Sequence, residues 1–119
     1  MTAADQDIRD LTDRLGLVDH RQDWGIGNAD AHRVGEFIQC CRTKGLTDPQ
    51  QYALGELVLA SMNEALADGL VNGELTRHFE DFLTLNLHGL AAQIRYWASL
   101  PDFEEFPVAA LLNRVATPS

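Results

Sequence analysis

Residues 48–69, DPQQYALGELVLASMNEALADG, carry a helix start, a periodic apolar face and a helix stop in a single run. Asp48 is placed to cap, Pro49 suits the first helical position, and Gln51 stands three residues beyond the cap as a capping box requires. Asp68 and Gly69 supply the exit, because glycine turns left-handed without steric cost. At about 100° per residue, Leu54, Val58, Leu59, Met62, Ala65 and Leu66 fall on one broad stripe, while Glu56, Asn63, Glu64 and Asp68 lie off it. The pattern predicts a helix with one side in a core and the other facing water or a partner.

Towards the amino terminus, residues 31–44 read as a helix with Val34, Phe37, Ile38 and Cys41 on its apolar face, capped by Asp30 with Asn28 as the rival cap, and stopped by Gly45. Leu46 and Thr47 make so short a link that this helix and the central one become antiparallel neighbours. Residues 17–29, LVDHRQDWGIGNA, break every period, since Gly25 and Gly27 flank Ile26. This is a loop, and Trp24 within it has two readings: a plug that tethers the loop to the core, or an exposed anchor for a partner. The tethering a loop of this length needs favours the plug. Residues 5–15 place Ile8, Leu11 and Leu15 at helical spacing among Asp5, Asp7, Asp10, Asp13, Arg9 and Arg14, and Gly16 ends the run.

Towards the carboxyl terminus, Asn72 is a cap for a helix carrying Leu75, Phe79, Phe82 and Leu83, which Gly89 kinks or divides before Leu90, Ile94 and Trp97 continue the apolar face. Pro101 stops it, residues 101–107 (PDFEEFP) are extended or turn-like, and Pro107 opens a last helix with Val108, Leu111, Leu112 and Val115. No repeat and no alternating strand pattern is present. The expected fold is all-α, a single domain over residues 1–119 built as a bundle of five or six helices, with 1–4 and 116–119 frayed.

Eighteen Asp and Glu against nine Lys and Arg give a formal charge of −9. Such a chain repels phosphate, which disfavours direct nucleic-acid binding and points to a basic protein partner, although acidity also serves plain solubility. The excess is concentrated: no Lys or Arg falls between Lys44 and Arg77, where Asp48, Glu56, Glu64, Asp68 and Glu74 all occur. No window reaches the roughly 18 to 20 apolar residues of a membrane span, and the first residues lack a signal-peptide pattern, so a cytoplasmic location is expected. Cys40 and Cys41 are adjacent, which makes a disulfide between them strained and reduced thiols the expectation.

Candidate chemistry is sparse. His20, Asp23, Asn28, Asp30 and His32 gather in one loop and helix start, but at no recognised metal-ligand spacing, so neither a metal nor a cofactor is expected. A thiol nucleophile at Cys40 or Cys41 would need a stabilised thiolate, whereas Cys41 shares the apolar face. No catalytic residue is assigned. Glu104 and Glu105, interleaved with Phe103 and Phe106, read either as a partner-binding ridge or as a loop pinned to the core.

The run W-G-x-x-N-A-D-x-x-R-V-x-E-F-I at residues 24–38, with A-L-G-E-L-V-L-A-S-M-N-E-A-L at residues 53–66, resembles small bacterial immunity proteins, which neutralise secreted toxins. The resemblance implies a non-enzymatic inhibitor whose acidic face occupies a basic surface of a toxin, often a nuclease. The surface expected to do this comprises Glu56, Glu64 and Asp68, with Glu104, Glu105 and Trp24. A structural adaptor or homodimer joined through Leu57 or Trp24 is the alternative, and an enzyme built on His20, Asp23 and His32 a third reading.

Overall fold

The helix that organises the chain starts one residue earlier in its capping pattern than the sequence implies. In the computed structural model, which describes residues 3–19, 23–86, 88–100 and 104–116 (without the side chains of 3 and 114–116), Thr47 is the cap and Asp48 already helical. Thr47 Oγ1 accepts from the Gln50 backbone N–H at 3.3 Å, and Gln50 Oε1 accepts from the Thr47 N–H at 3.1 Å. Gln50 wins over Gln51 because its amide has a second partner: Nε2 donates to the Asp7 carbonyl at 2.9 Å, while Gln51 is exposed. Pro49 moves to the second helical position, where a missing N–H still costs nothing.

Seven helical segments follow one another among the described residues: α1 (Ala3–Leu15), α2 (Trp24–Gly27), α3 (Val34–Cys41), α4 (Asp48–Ala67), α5 (Gly73–Asn86), α6 (Ala91–Ala98) and α7 (Pro107–Ala116). The all-α class is as expected. The count exceeds five or six because the loop around Trp24 holds a four-residue turn of helix, and because Gly89 sits in a turn that fully separates α5 from α6. Ala3 and Ala4 belong to α1 and Ala116 to α7; the remaining terminal residues expected to fray lie outside the described set.

α4 corrects the expectation of one covered side. Leu54, Leu57, Val58, Leu59, Met62 and Ala65 are each 0% exposed, and Ala60 and Ser61 are buried with them. Leu57, outside the predicted stripe, is as enclosed as Leu54. A helix that is apolar nearly all round is covered on all sides, and here α1, α2, α3, α6 and α7 all contact it. α6 comes so close that a Cβ on Gly55 would lie 2.6 Å from both terminal carbons of Leu90. Solvent reaches α4 mainly at its ends, where Gln51, Tyr52, Glu64, Ala67 and Asp68 are exposed.

Three predicted stops are left-handed glycines, Gly16 (φ +65°), Gly45 (φ +88°) and Gly69 (φ +71°). The predicted caps fare unequally. Asn72 caps α5, its Oδ1 accepting from the Leu75 N–H at 2.8 Å. Neither Asp30 nor Asn28 caps α3, which begins at Val34 after Arg33. Asp30 instead turns its carboxylate onto the His32 N–H at 2.9 Å, and Asn28 is buried in other bonds. Arg33 holds the start of α3 from the side chain: its guanidinium pairs with Glu36, donates to the Leu15 carbonyl at 2.9 Å and lies 4.9 Å from the Phe37 ring centre. Among the described residues no helix is long and apolar enough to cross a membrane.

Candidate functional site

Two polar latches shape the surface beside α4. Trp24 fills the space under the loop at 6% exposure, and its indole N–H donates to Thr12 Oγ1 at 2.8 Å, whose own hydrogen goes to the Ile8 carbonyl at 2.6 Å. Asn28 closes the same loop: Oδ1 accepts from the Val18 N–H, and Nδ2 donates to the carbonyls of Val18 and Trp24, at 2.8 to 2.9 Å. Each buried polar atom named here has its partner, so residues 23–29 are tied to Val18 and α1 as a wall. The exposed-anchor reading of Trp24 is therefore corrected: its ring is a buried plug.

Next to this wall, Ser61 Oγ accepts from the Asp30 N–H at 3.0 Å and draws residues 29 and 30 against α4. On the far side, Asn63 seats the start of α7, its Oδ1 accepting from the Val108 N–H at 3.1 Å and its Nδ2 donating to the Glu105 carbonyl at 3.4 Å. A groove of about 190 Å³ remains between these walls. Ile26 and Ala29 form one side, Ala60 and Glu64 the floor and edge, and Tyr96, Trp97 and Phe106 the other side. Trp97 meets both Tyr96 and Phe106 edge-on, with centroids 6.3 Å apart in each pair. Ile26 and Tyr96 stay 52% and 61% exposed, an apolar pair facing solvent across the groove.

Glu64 is the acid that lines it. Burial raises its carboxyl above the ordinary carboxylate range, and the negative charges of Asp68 and Asp30 raise it further. Glu56, Ala60, Glu64 and Asp68 are spaced four apart on α4 and form one row along it. Glu64 and Asp68 are exposed in this row. Glu56 is only half exposed, its stem lying over Gly25, where a Cβ would come within 2.7 Å of Glu56 Cγ. Glu104 and Glu105 are exposed in the turn before α7, beside Phe106 at the groove wall. The structure thus puts Glu64 in the groove lining, Asp68 one turn further along and the Glu105 turn next to Phe106, sets Glu56 two turns away, and buries Trp24.

Comparisons with protein-family models, with curated proteins and with solved structures find no match to this chain. What it does has to be read from its own surface.

The rival chemistries find little there. Cys40 and Cys41 are free, and burial pushes both thiols up, Cys41 to about 12, with the neighbouring Cys40 adding to the shift. Thiols so raised stay protonated at neutral pH and are poor nucleophiles. Among the described residues no three His, Cys, Asp or Glu side chains are placed to hold a metal. His20, part of the candidate metal and enzyme cluster, lies outside those residues, as does Phe103 of the proposed ridge. Phe106 packs on the core at the groove wall.

Sequence reasoning missed Ile26, Tyr96 and the electrostatic part of Asp30. Tyr96 falls off the Leu90, Ile94, Trp97 period, and a large side chain off the apolar face of a short helix was the available signal. Ile26 lies between two glycines that break the periodic pattern, so no local signal marks it.

Proposed function

We propose that the protein is a non-enzymatic acidic binding module of the immunity type, which blocks a cognate bacterial toxin by occupying a basic surface on it. The observation that carries this reading is the set of Glu64, Asp68 and Asp30 beside an apolar groove: the Glu64 carboxyl, raised by burial and by the charges of Asp68 and Asp30, is relieved by an incoming cation. Nuclease surfaces must attract phosphate, so an acidic face competes for them and speeds its own encounter with them. Exposed Ile26 and Tyr96 add the apolar contact that charge alone lacks. Such a role is served in the cytoplasm, where the inhibitor would guard its own cell.

The self-association alternative loses its named contacts. Leu57 is 0% exposed and Trp24 6%, so neither reaches a second copy without unfolding.

The test is capture from a lysate of the producing bacterium by the tagged protein, at low and high salt, beside the double reversal Glu64→Lys/Asp68→Lys. The expected result is one basic protein lost as salt rises and retained by the double variant about tenfold less. That protein, once purified, should lose its activity when one equivalent of this chain is added. Equal capture by the double variant would remove the acidic row from the binding surface.

A further inference from the structure

Beyond a general preference for basic partners, the groove has the size and lining of a socket for one side chain. At about 190 Å³ it falls below the ~300 to 1,000 Å³ of sites that enclose cofactors or drug-sized ligands. A cavity of this class on a binding surface holds a single anchor residue, of which arginine, tyrosine and tryptophan are the commonest.

The chemistry of the walls chooses among them. Both polar ends of the Asn63 amide are occupied by the backbone of Glu105 and Val108, which leaves the Glu64 carboxylate as the charged group of the lining to meet an occupant. A tyrosine or tryptophan could donate one hydrogen bond to it, but a cation also answers the negative charges of Asp68 and Asp30 that act on Glu64, so the site favours a cationic anchor. The remaining lining is aliphatic and aromatic: Ile26 on one side, Tyr96 and Trp97 on the other. A long aliphatic stem suits such walls, and a planar, weakly hydrated guanidinium suits the rings. A lysine ammonium is compact and strongly hydrated, so it forfeits more on leaving water.

We infer that the groove receives one arginine side chain of a basic partner protein, with its guanidinium paired to Glu64 and its stem and plane laid between Ile26 and the Tyr96–Trp97 pair. This rests on the acidic-inhibitor reading and specifies its anchor. Asp68 and Asp30 stand behind Glu64 and hold the region negative, so they contribute attraction at longer range.

The direct test is a titration of the isotope-labelled protein, followed by nuclear magnetic resonance, with N-acetyl-arginine methylamide and with its lysine and citrulline counterparts. Arginine should shift the Glu64 and Tyr96 amides and the Trp97 indole signal. The lysine compound should bind about threefold or more weaker and the uncharged citrulline isostere about tenfold or more weaker. Glu64→Gln should lose about tenfold in arginine affinity and Tyr96→Ala about threefold, both at exposed positions that leave the fold intact.

Equal binding of arginine and citrulline, or shifts spread over acids outside the groove, would overturn the assignment. An arginine titration without effect, alongside partner capture that still fails in Glu64→Lys/Asp68→Lys, overturns the socket and leaves the inhibitor standing. Arginine bound in the groove, with capture untouched by the double reversal, upholds the socket and overturns the inhibitor.

Discussion

Trp24 and Trp97 are buried to nearly the same degree, 6% and 7% exposed, on two flanks of the same helix, yet one closes its flank and the other leaves a hollow. Trp24 ends in a hydrogen bond to Thr12, and the loop that carries it is tied by Asn28 to Val18. Trp97 stands edge-on between Tyr96 and Phe106, and the space beside it is the groove. Directional bonds bring the Trp24 segment down onto its flank, whereas beside Trp97 the hollow lies between the ring cluster and the opposite wall at Ile26 and Ala29, which no hydrogen bond among the described residues draws together. Function is expected where the second kind of packing reaches the surface.

The largest test of this contrast is on the closed flank. Trp24→Ala should cost about 3 to 5 kcal/mol of unfolding free energy, read by urea denaturation. Thr12→Val keeps the shape but leaves the indole N–H unpaired, and should cost about 1 to 3 kcal/mol by the same measurement. If Thr12→Val proves neutral, the latch is not what holds this flank.

A smaller effect separates two glycines that both sit under a neighbouring side chain. Gly55→Ala drives a methyl group into Leu90, which is itself only 4% exposed and has little room to yield. Overpacking of about 1 to 3 kcal/mol is offset by roughly 1 kcal/mol of helix propensity, so a net loss of up to about 2 kcal/mol should appear in thermal unfolding. Gly25→Ala meets Glu56, whose outer atoms can swing away but whose Cβ, 3.0 Å from the added methyl, cannot, and should cost about 1 kcal/mol or less. Equal losses at the two sites would mean that Glu56 is held as firmly as Leu90.

The smallest effect belongs to the open flank. Because the folded protein raises the Glu64 carboxyl, it holds that proton more tightly than the unfolded chain does. The group therefore favours folding most at acidic pH, and loses that contribution as pH rises from the ordinary carboxylate range through the raised value. Glu64→Gln should accordingly stabilise at pH 7, by no more than ~0.5 kcal/mol once solvent screening is counted, and the gain should vanish near pH 4. A gain independent of pH would place its origin outside the charge cluster.

Much of this fold was legible because its signals are local. The glycines at 16, 45 and 69, the Asn72 cap and the apolar periods of α1, α4 and α6 each depend on a few neighbouring residues. What escaped depends on residues distant in the chain. Thr47 is chosen over Asp48 because Gln50 also bonds to Asp7 on α1, a contact no local pattern contains. Leu57 and Ser61 are enclosed because five other helices contact α4, so the wet side narrows to the strip that holds Glu64 and Asp68. α2 breaks every helical period and is held in place by Asn28 and Trp24. For the candidate site, charge pattern was enough to mark Glu64 and Asp68, while the groove brings together α2, α4, α6 and the turn before α7 and left no trace in any single stretch.

The enclosure of α4 also sets conditions on how the chain is made. Synthesis delivers α1, α2 and α3 before α4, but α6 and α7, which cover the flank carrying Gly55 and Asn63, emerge after it. For that interval an apolar cylinder is exposed along one side, the kind of surface that chaperones bind and that nascent chains aggregate through. A ribosome stalled before the last helix would hold a product that cannot hide its own centre.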